Sequence, residues 1–443
     1  MTLSRPIDVA IVGAGPAGIG TAVALERLDL EYAVFERDRI GSSFRQWPDE
    51  MRLLTPSFPA NAFGVRDLNA ITLDTSPALA LDREHPTGDQ YADYLEAVAE
   101  FHELPIETGV DVEAVVPDDG SADEQRGDEP DGTAADANRG GFTLETSEGT
   151  ITARYVVWAA GQYQYPSSGS IPGASHAVHV STIDSWSAHA ERHSIDSDAA
   201  TPGSDTEVES EEPSSSSPVA ADGAGVATPA ADDIVIVGGA ESGIDAALGL
   251  ADAGLSVTVL DDDGPWQYRS PDPSEVLSPR TTERLESALE AGRPINLVTD
   301  ARVERIEQAS PAESDIDLDS DGYAVVTEDG DRVRSSTPPI LATGFVGGLS
   351  LVDDRFAFDD SGCPDLTDRD ESTETPGLFL VGPQVAHNGQ QFCFIYKFRQ
   401  RFAVVAETVG DRLGVDTEPL EAYREKQMFL EDLECCEPEY CDC

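Results

Sequence analysis

The stretch that most constrains the chain is Val9-Ala10-Ile11-Val12-Gly13-Ala14-Gly15-Pro16-Ala17-Gly18-Ile19-Gly20. A short apolar run breaks into glycines and then into the helix-forming residues Thr21 to Leu28, which spells strand, turn and helix. Gly13 permits the tight turn, Gly15 leaves bare backbone for a pyrophosphate, and Gly18 lets the helix pack closely on the strand. Free N–H groups at the start of the helix then face the phosphates. Glu31-Tyr32-Ala33-Val34-Phe35-Glu36 supplies a second strand ending in a carboxylate. It comes roughly 20 residues after the turn, where the motif needs an acceptor for a ribose hydroxyl. Glu36 is the expected ribose partner.

A second unit of this kind starts at Ile234-Val235-Ile236-Val237-Gly238-Gly239-Ala240-Glu241-Ser242-Gly243 and continues through a helix to the strand Ser256 to Leu260, with Asp261 at its end. Ala240 stands where the middle glycine belongs, adding a methyl group near the expected pyrophosphate. Asp261 to Asp263 are suited to bonding ribose hydroxyls and repelling a 2′-phosphate, or form a solvated turn. With no arginine nearby before Arg269, they favour NADH.

At 443 residues the chain is too long for one ordinary core, so two or three units are expected. Its 85 acidic residues against 28 basic ones give a formal charge of −57, and Lys397 and Lys426 are the only lysines. Such a surface repels nucleic acid and anionic membranes, and its self-repulsion is screened in concentrated salt. A salt-adapted protein is therefore expected. No apolar run reaches membrane-spanning length, and Met1 to Ile7 carries no signal-peptide core, which predicts a cytoplasmic location.

Between the nucleotide motifs, Gly41 to Phe63 reads as irregular, and Asp89 to His102 as a helix burying Tyr91, Tyr94, Leu95, Val98 and Phe101. Ile106 to Val116 and Phe142 to Thr146 read as strands of a small antiparallel sheet, separated by an acidic insertion over 117–141. Ile151 to Gly161 alternates and then turns wholly apolar, ending in small residues. A Ser/Asp/Glu-rich stretch over 187–231 is a linker. Pro279 to Ala291 reads as a helix, and Phe392 to Val409 as another, led in by His387-Asn388-Gly389-Gln390-Gln391. Four of the six cysteines crowd the end: Cys435, Cys436, Cys441 and Cys443.

This order of motifs resembles the flavoproteins with two dinucleotide-binding domains, a group that includes thioredoxin-reductase-like disulfide reductases and flavin-containing monooxygenases. The resemblance implies an α/β fold of two Rossmann-like three-layer domains with a small antiparallel sheet, the NAD(P) domain inserted into the FAD domain. The corresponding segments are 1–165 and 338–430 for FAD, 232–337 for NAD(P), and 431–443 as a cysteine-rich tail. The cofactors implied are FAD and NADH or NADPH. FAD would be held by Gly13, Gly15, Pro16, Ala17, Gly18, Glu36, Arg37, Trp47, Val112, Gly161, Gly382 and Gln391. NAD(P) would be held by Gly238, Glu241, Ser242, Gly243 and Asp261. Ala342-Thr343-Gly344 matches the strand that returns the chain to the FAD domain. Pro383 replaces the acid of the family's Gly-Asp pair, and the helix starting near Gln391 would aim its positive end at the flavin.

Two departures bear on the reaction. No Cys-x-x-Cys follows either nucleotide motif, and the monooxygenase fingerprint F-x-G-x-x-x-H survives only as His179, with Gly173 and Ser175 in place of its phenylalanine and glycine. Hydride transfer from NAD(P)H through flavin to a small acceptor such as a disulfide is the first reading. The alternatives are a flavin monooxygenase using O2, and a nucleotide-binding or soft-metal-handling protein. His179 is a nicotinamide-side contact or an ordinary hydrogen-bonding residue. His387 is a proton shuttle or a structural residue, and Cys393 a buried inert thiol in preference to a reactive one. Lys397 and Arg399 pair with flavin or substrate, or snorkel. Cys435 and Cys436 are candidate catalytic thiols, and with Cys441 and Cys443 they offer enough thiolates for a metal. The expected partner is a small molecule or thiol/disulfide, with no nucleic acid and no membrane; the resemblance admits a homodimer.

Overall fold

The computed structural model describes residues 6–59, 66–118, 141–198, 234–267, 270, 274–308 and 322–433. The chain divides into two compact units, one comprising Met1–Ser167, Arg269–Ser278 and Gly344–Cys443, the other Ser168–Tyr268 and Pro279–Thr343.

In the first unit a seven-stranded sheet runs in the order Ile106–Thr108, Tyr32–Glu36, Ile7–Val12, Gly149–Trp158, Phe142–Thr146, Val112–Pro117, with Leu378–Leu380 also beside Gly149–Trp158. The strand Gly149–Trp158 shows how composition sets pairing. Its first half alternates and pairs antiparallel with Phe142–Thr146, one face in water. Its second half, Val156-Val157-Trp158, is buried throughout and lies between parallel strands Ile7–Val12 and Leu378–Leu380. Phe402–Leu413 packs on Pro16–Leu25, the helix that rests on Ile7–Val12 and Tyr32–Glu36.

The second unit has a parallel sheet ordered Ile295–Val298, Val257–Leu260, Ile234–Val237, Ile340–Leu341, Val178–His179, and a separate antiparallel sheet of Val303–Gln308, Tyr323–Thr327 and Arg332–Ser335. Helix Glu241–Asp252 follows Ile234–Val237.

Several expectations need correction. Ile106 to Val116 is two strands, because Gly109 takes a φ of 77° and turns the chain: the first pairs parallel with Tyr32–Glu36, the second antiparallel with Phe142–Thr146. Helix Gly88–Phe101 has a full capping box at Thr87 and Gln90, yet Phe101 ends it 73% exposed and stands outside the core. Helix Trp186–Asp198 occupies the start of the expected linker; Trp186 anchors it with its indole N–H donating to Asp245 (3.1 Å). Ile340–Leu341, placed in the second FAD segment by sequence, pairs with Ile234–Val237 in the second unit, so the return to the first unit falls at Gly344. The lead-in to the helix expected from Phe392 is a hairpin, Ala386–His387 with Gln390–Gln391, turned by Asn388 (φ 52°) and Gly389 (φ 79°). Helix begins only at Ile395–Phe398, and after a 3-10 turn at Arg399–Arg401 it resumes as Phe402–Leu413. An Asn-Gly pair is a strong hairpin signal, and here it turns the segment that leads towards the helix.

Candidate functional site: two glycine turns, each tied to an acid

In the first unit, Gly13 takes a φ of 105° and its N–H donates to the Phe35 carbonyl (2.8 Å). A Cβ on Gly18 would sit 1.9 Å from the Gly13 carbonyl oxygen, so the helix rests directly on the turn. Above Gly15 the space is open, with no atom within 4 Å of where a Cβ would be. The first-turn N–H groups of Pro16–Leu25 have no partner within the helix, and that turn carries no acid. Glu36 is 8% exposed; its carboxylate accepts from the Ala14 N–H (2.8 Å) and the Asp38 N–H (2.9 Å). Burial pushes the Glu36 carboxyl up, and the two backbone bonds oppose that.

Beside this turn a shallow cleft, partly open to solvent, is lined by Gly13, Glu36, Arg37, Val112, Gln164 and Tyr165 among others. Arg37 lies over the Tyr165 ring at 5.1 Å and donates to Gln164 Oε1 (2.5 Å), and Gln164 donates in turn to Ser42 Oγ (3.2 Å). Gln164 and Tyr165 were not singled out from the sequence: they are more than 120 residues from Arg37, and no motif surrounds them. Gly161 (φ 70°), three residues past the strand end at Trp158, has open space over its backbone, and Gly382 (φ 110°) lies against the start of the helix, where its Cβ would be 3.2 Å from that of Ala17. An adenine dinucleotide suits this cradle. The open backbone and uncompensated helix start match a pyrophosphate, the fixed carboxylate a ribose, and the cleft an adenine.

The second unit repeats the geometry. Gly238 (φ 101°) donates to the Leu260 carbonyl (2.8 Å), and a Cβ on Gly243 would meet the Gly238 oxygen at 1.9 Å. Asp261 accepts from Gly239 (2.6 Å), Asp263 (3.0 Å) and Gly264 (2.7 Å). Ala240 is the N-cap with an ordinary extended φ of −74° and is exposed, so its methyl strains nothing. Glu241 accepts from Thr281 Oγ1 (2.6 Å), and Ser242 follows it in the first helical turn. Sequence reasoning missed Trp266, whose ring covers Gly239, and Arg302, which is paired with Asp262 (2.6 Å).

Other candidates fall elsewhere. His179 ends an edge strand and its Nδ1 accepts from the N–H of Ser181 (3.2 Å). His387 is 9% exposed, its Nε2 set 2.5 Å from Asp370, a fully buried carboxylate that also accepts from the fully buried Arg401 (2.8 and 3.1 Å). Arg399 neither snorkels nor reaches the cleft lining: it is 5% exposed and donates to the carbonyls of Asp67 and Ala70, and burial pulls its guanidinium down to about 10. Cys393 is half-buried and lies in the loop before Ile395–Phe398, off the helix expected to carry it. Its thiol donates to Ser274 Oγ (3.3 Å), while Lys397 donates to the carbonyl of Gln391 (3.0 Å), an exposed hairpin residue and not a helix start. Trp47 packs on Phe44 at 4.8 Å between ring centres. Cys435, Cys436, Cys441 and Cys443 lie outside the described residues, as do most of 117–141 and 199–233. Among the described residues no group of three or more His, Cys, Asp or Glu is arranged to hold a metal, and no helix is long and apolar enough to cross a membrane.

Comparison with known proteins agrees with this architecture. Residues 10–123, 133–195 and 213–382 match the family model described as pyridine nucleotide-disulphide oxidoreductase. The chain is 28% identical over 164 residues to an uncharacterized CzcO-like oxidoreductase of Geobacillus kaustophilus, a match covering 36% of this chain and 37% of that one. It is 20% identical over 402 residues to the bacilliredoxin reductase Bdr of Bacillus subtilis, covering 91% and 97%. Among solved structures it resembles the bacillithiol disulfide reductase Bdr (YpdA) of Bacillus cereus (21% identity, TM-score 0.59, 92% and 100% covered) and a flavin-containing monooxygenase from Stenotrophomonas maltophilia (14%, 0.60, 92% and 99%). The chain belongs to the pyridine nucleotide-disulphide oxidoreductase family and is an oxidoreductase that works with FAD and NAD(P)H.

Proposed function

We propose that the protein passes a hydride from a nicotinamide nucleotide, by way of FAD, to a small disulfide. The observation that carries this reading is the repeated pairing of glycine turn and locked acid, Gly13 with Glu36 and Gly238 with Asp261, which gives one chain two dinucleotide cradles. Bound FAD supplies a two-electron carrier between donor and acceptor. The N–H groups of Gly15, Ala17 and Gly18 would hold its pyrophosphate, Glu36 would take the ribose, and Arg37 with Tyr165 and Val112 would enclose the adenine. Pro16, Ala17, Gly161 and Gly382 would complete the contacts around FAD, with Trp47 and Gln391 as further candidates. Gly238, Glu241, Ser242, Gly243 and Asp261 hold the nicotinamide nucleotide. His387 acts as a positioning residue, because its Nε2 is committed to the Asp370 carboxylate in a buried network.

A disulfide acceptor is favoured over oxygenation by the pyridine nucleotide-disulphide oxidoreductase family model, by the sequence match to a bacilliredoxin reductase over 91% of the chain and by the degraded monooxygenase fingerprint around His179. The cysteines of the tail, Cys435 and Cys436 foremost, relay electrons to that disulfide or bind a soft metal. Four neighbouring carboxylates disfavour free thiolates there, and a metal would stabilise them. The charge of −57 suits a cytoplasm rich in salt. The deciding experiment is stopped-flow reoxidation of NADH-reduced enzyme with a small disulfide or with O2. Fast recovery with the disulfide is expected; recovery with O2 alone, accompanied by substrate oxygenation, favours the monooxygenase reading.

A further inference from the structure

Within the second unit, helix Trp186–Asp198 lays one face on helix Glu241–Asp252. A Cβ on Gly249 would be 2.3 Å from the Trp186 ring, so the absence of a side chain there is what lets the two helices meet. Trp186, His189 and Ala190 are buried and His193 is half-buried, while Ala188, Glu191 and Arg192 are exposed. The covered residues fall at i, i+3, i+4 and i+7, the stripe of a helix with one face against a core. Two of its four positions carry imidazoles where an ordinary stripe is apolar.

His189 is 6% exposed, and its Nε2 is buried with no hydrogen-bond partner. A buried nitrogen left in this way carries a desolvation cost that only a bound group removes. The neighbouring ring is that of His193, with 4.5 Å between ring centres and 61° between ring planes. The two histidines stand four residues apart on one helix, the spacing by which two imidazoles reach a single ion. Nitrogens about 2.1 Å from a shared ion, at ligand angles of about 90–110°, put the ring centres about 4.5–5.2 Å apart. The observed 4.5 Å lies within that range. The exposed Glu191 and the overall charge of −57 draw cations towards this surface, with Arg192 acting against them.

We propose that His189 and His193 form a binding site for one divalent transition-metal ion of the kind that prefers imidazole, namely Zn2+, Ni2+ or Cu2+. Among the described residues no third His, Cys, Asp or Glu joins the pair, so water fills the remaining positions and the site is an open one. The ion ties one turn of helix Trp186–Asp198 together on the side that faces its neighbour. Neither glycine turn takes part, and the site stands apart from the tail cysteines, whose thiolates are a different class of ligand.

The test is isothermal titration of the purified full-length protein with nickel, zinc or copper chloride, after its cysteines have been alkylated so that thiols do not compete. One ion per chain is expected, with copper bound more tightly than nickel, the order for imidazole nitrogen. His189→Gln and His193→Gln are each expected to weaken binding about tenfold or more, and the double variant to abolish it. Melting in EDTA reads the metal-free fold of each variant. Should His189→Gln fail to fold, His193→Gln, at the half-buried position, carries the test by itself. Absence of binding to the alkylated parent overturns the proposal, and so does binding that His193→Gln leaves unchanged.

Discussion

Replacing Asp370 by Asn tests the densest piece of buried chemistry in the first unit. Asp370 and Arg401 have no exposed surface and His387 has 9%, and Asp370 joins the turn at Thr367–Glu371, the hairpin carrying His387 and the entry to helix Phe402–Leu413. Asn keeps the shape and one acceptor but removes the charge that offsets the guanidinium. Breaking one side of a buried pair costs about 3–5 kcal/mol, because the other charge stays buried. Arg401 retains the carbonyls of Asp368 and Leu430, which places the loss near the lower end, about 3 kcal/mol. With a urea slope of about 2 kcal/mol/M, the unfolding midpoint should fall by roughly 1.5 M. Adding Arg401→Met to Asp370→Asn should recover part of the loss, since an apolar replacement removes the stranded charge. A single variant within about 0.5 kcal/mol of the parent would refute the argument, as would strict additivity in the double variant.

Gly15→Val should fold normally, because nothing lies within 4 Å of the added Cβ, yet lose its flavin, because the side chain fills the phosphate position; wild-type flavin content in the folded variant would contradict this. His189 is buried against His193 with 4.5 Å between ring centres, and burial lowers its pKa from 6.5 to about 4. The folded state therefore binds its proton less tightly than the unfolded chain, so this contribution to stability is complete above about pH 6.5 and is lost as pH falls towards 4. His189→Phe should flatten the melting temperature across that window, and an unchanged slope would count against the assignment. Truncation before Cys435 should leave flavin content and NADH-driven reduction intact and abolish turnover with the disulfide or binding of zinc; full retention of both would show that the tail does neither.

What could be read from the sequence was whatever lies close together along the chain. Both glycine turns, their acids and the apolar strands between them come from local spacing, and the structure brings Glu36 to Ala14 and Asp261 to Gly239 accordingly. Gln164, Tyr165 and Arg302 escaped because their partners are distant in sequence and their residue types carry no motif, and Trp266 because an aromatic after a strand end belongs to no motif. The helix expected from Phe392 starts late for a different reason: Phe392, Phe398 and Phe402 mimic a helical stripe, but Phe394 is extended (φ −96°, ψ 148°) and the helix begins only at Ile395. Phe101 shows the limit of periodicity itself, since helical spacing places a residue on a face without saying how far the neighbouring core extends.

The most direct measurement is the absorbance of the purified protein before and after anaerobic addition of NADH. The account expects a yellow protein with about one flavin per chain, bleached by one equivalent of NADH. A colourless folded protein, or a yellow one that NADH leaves oxidised, would contradict it.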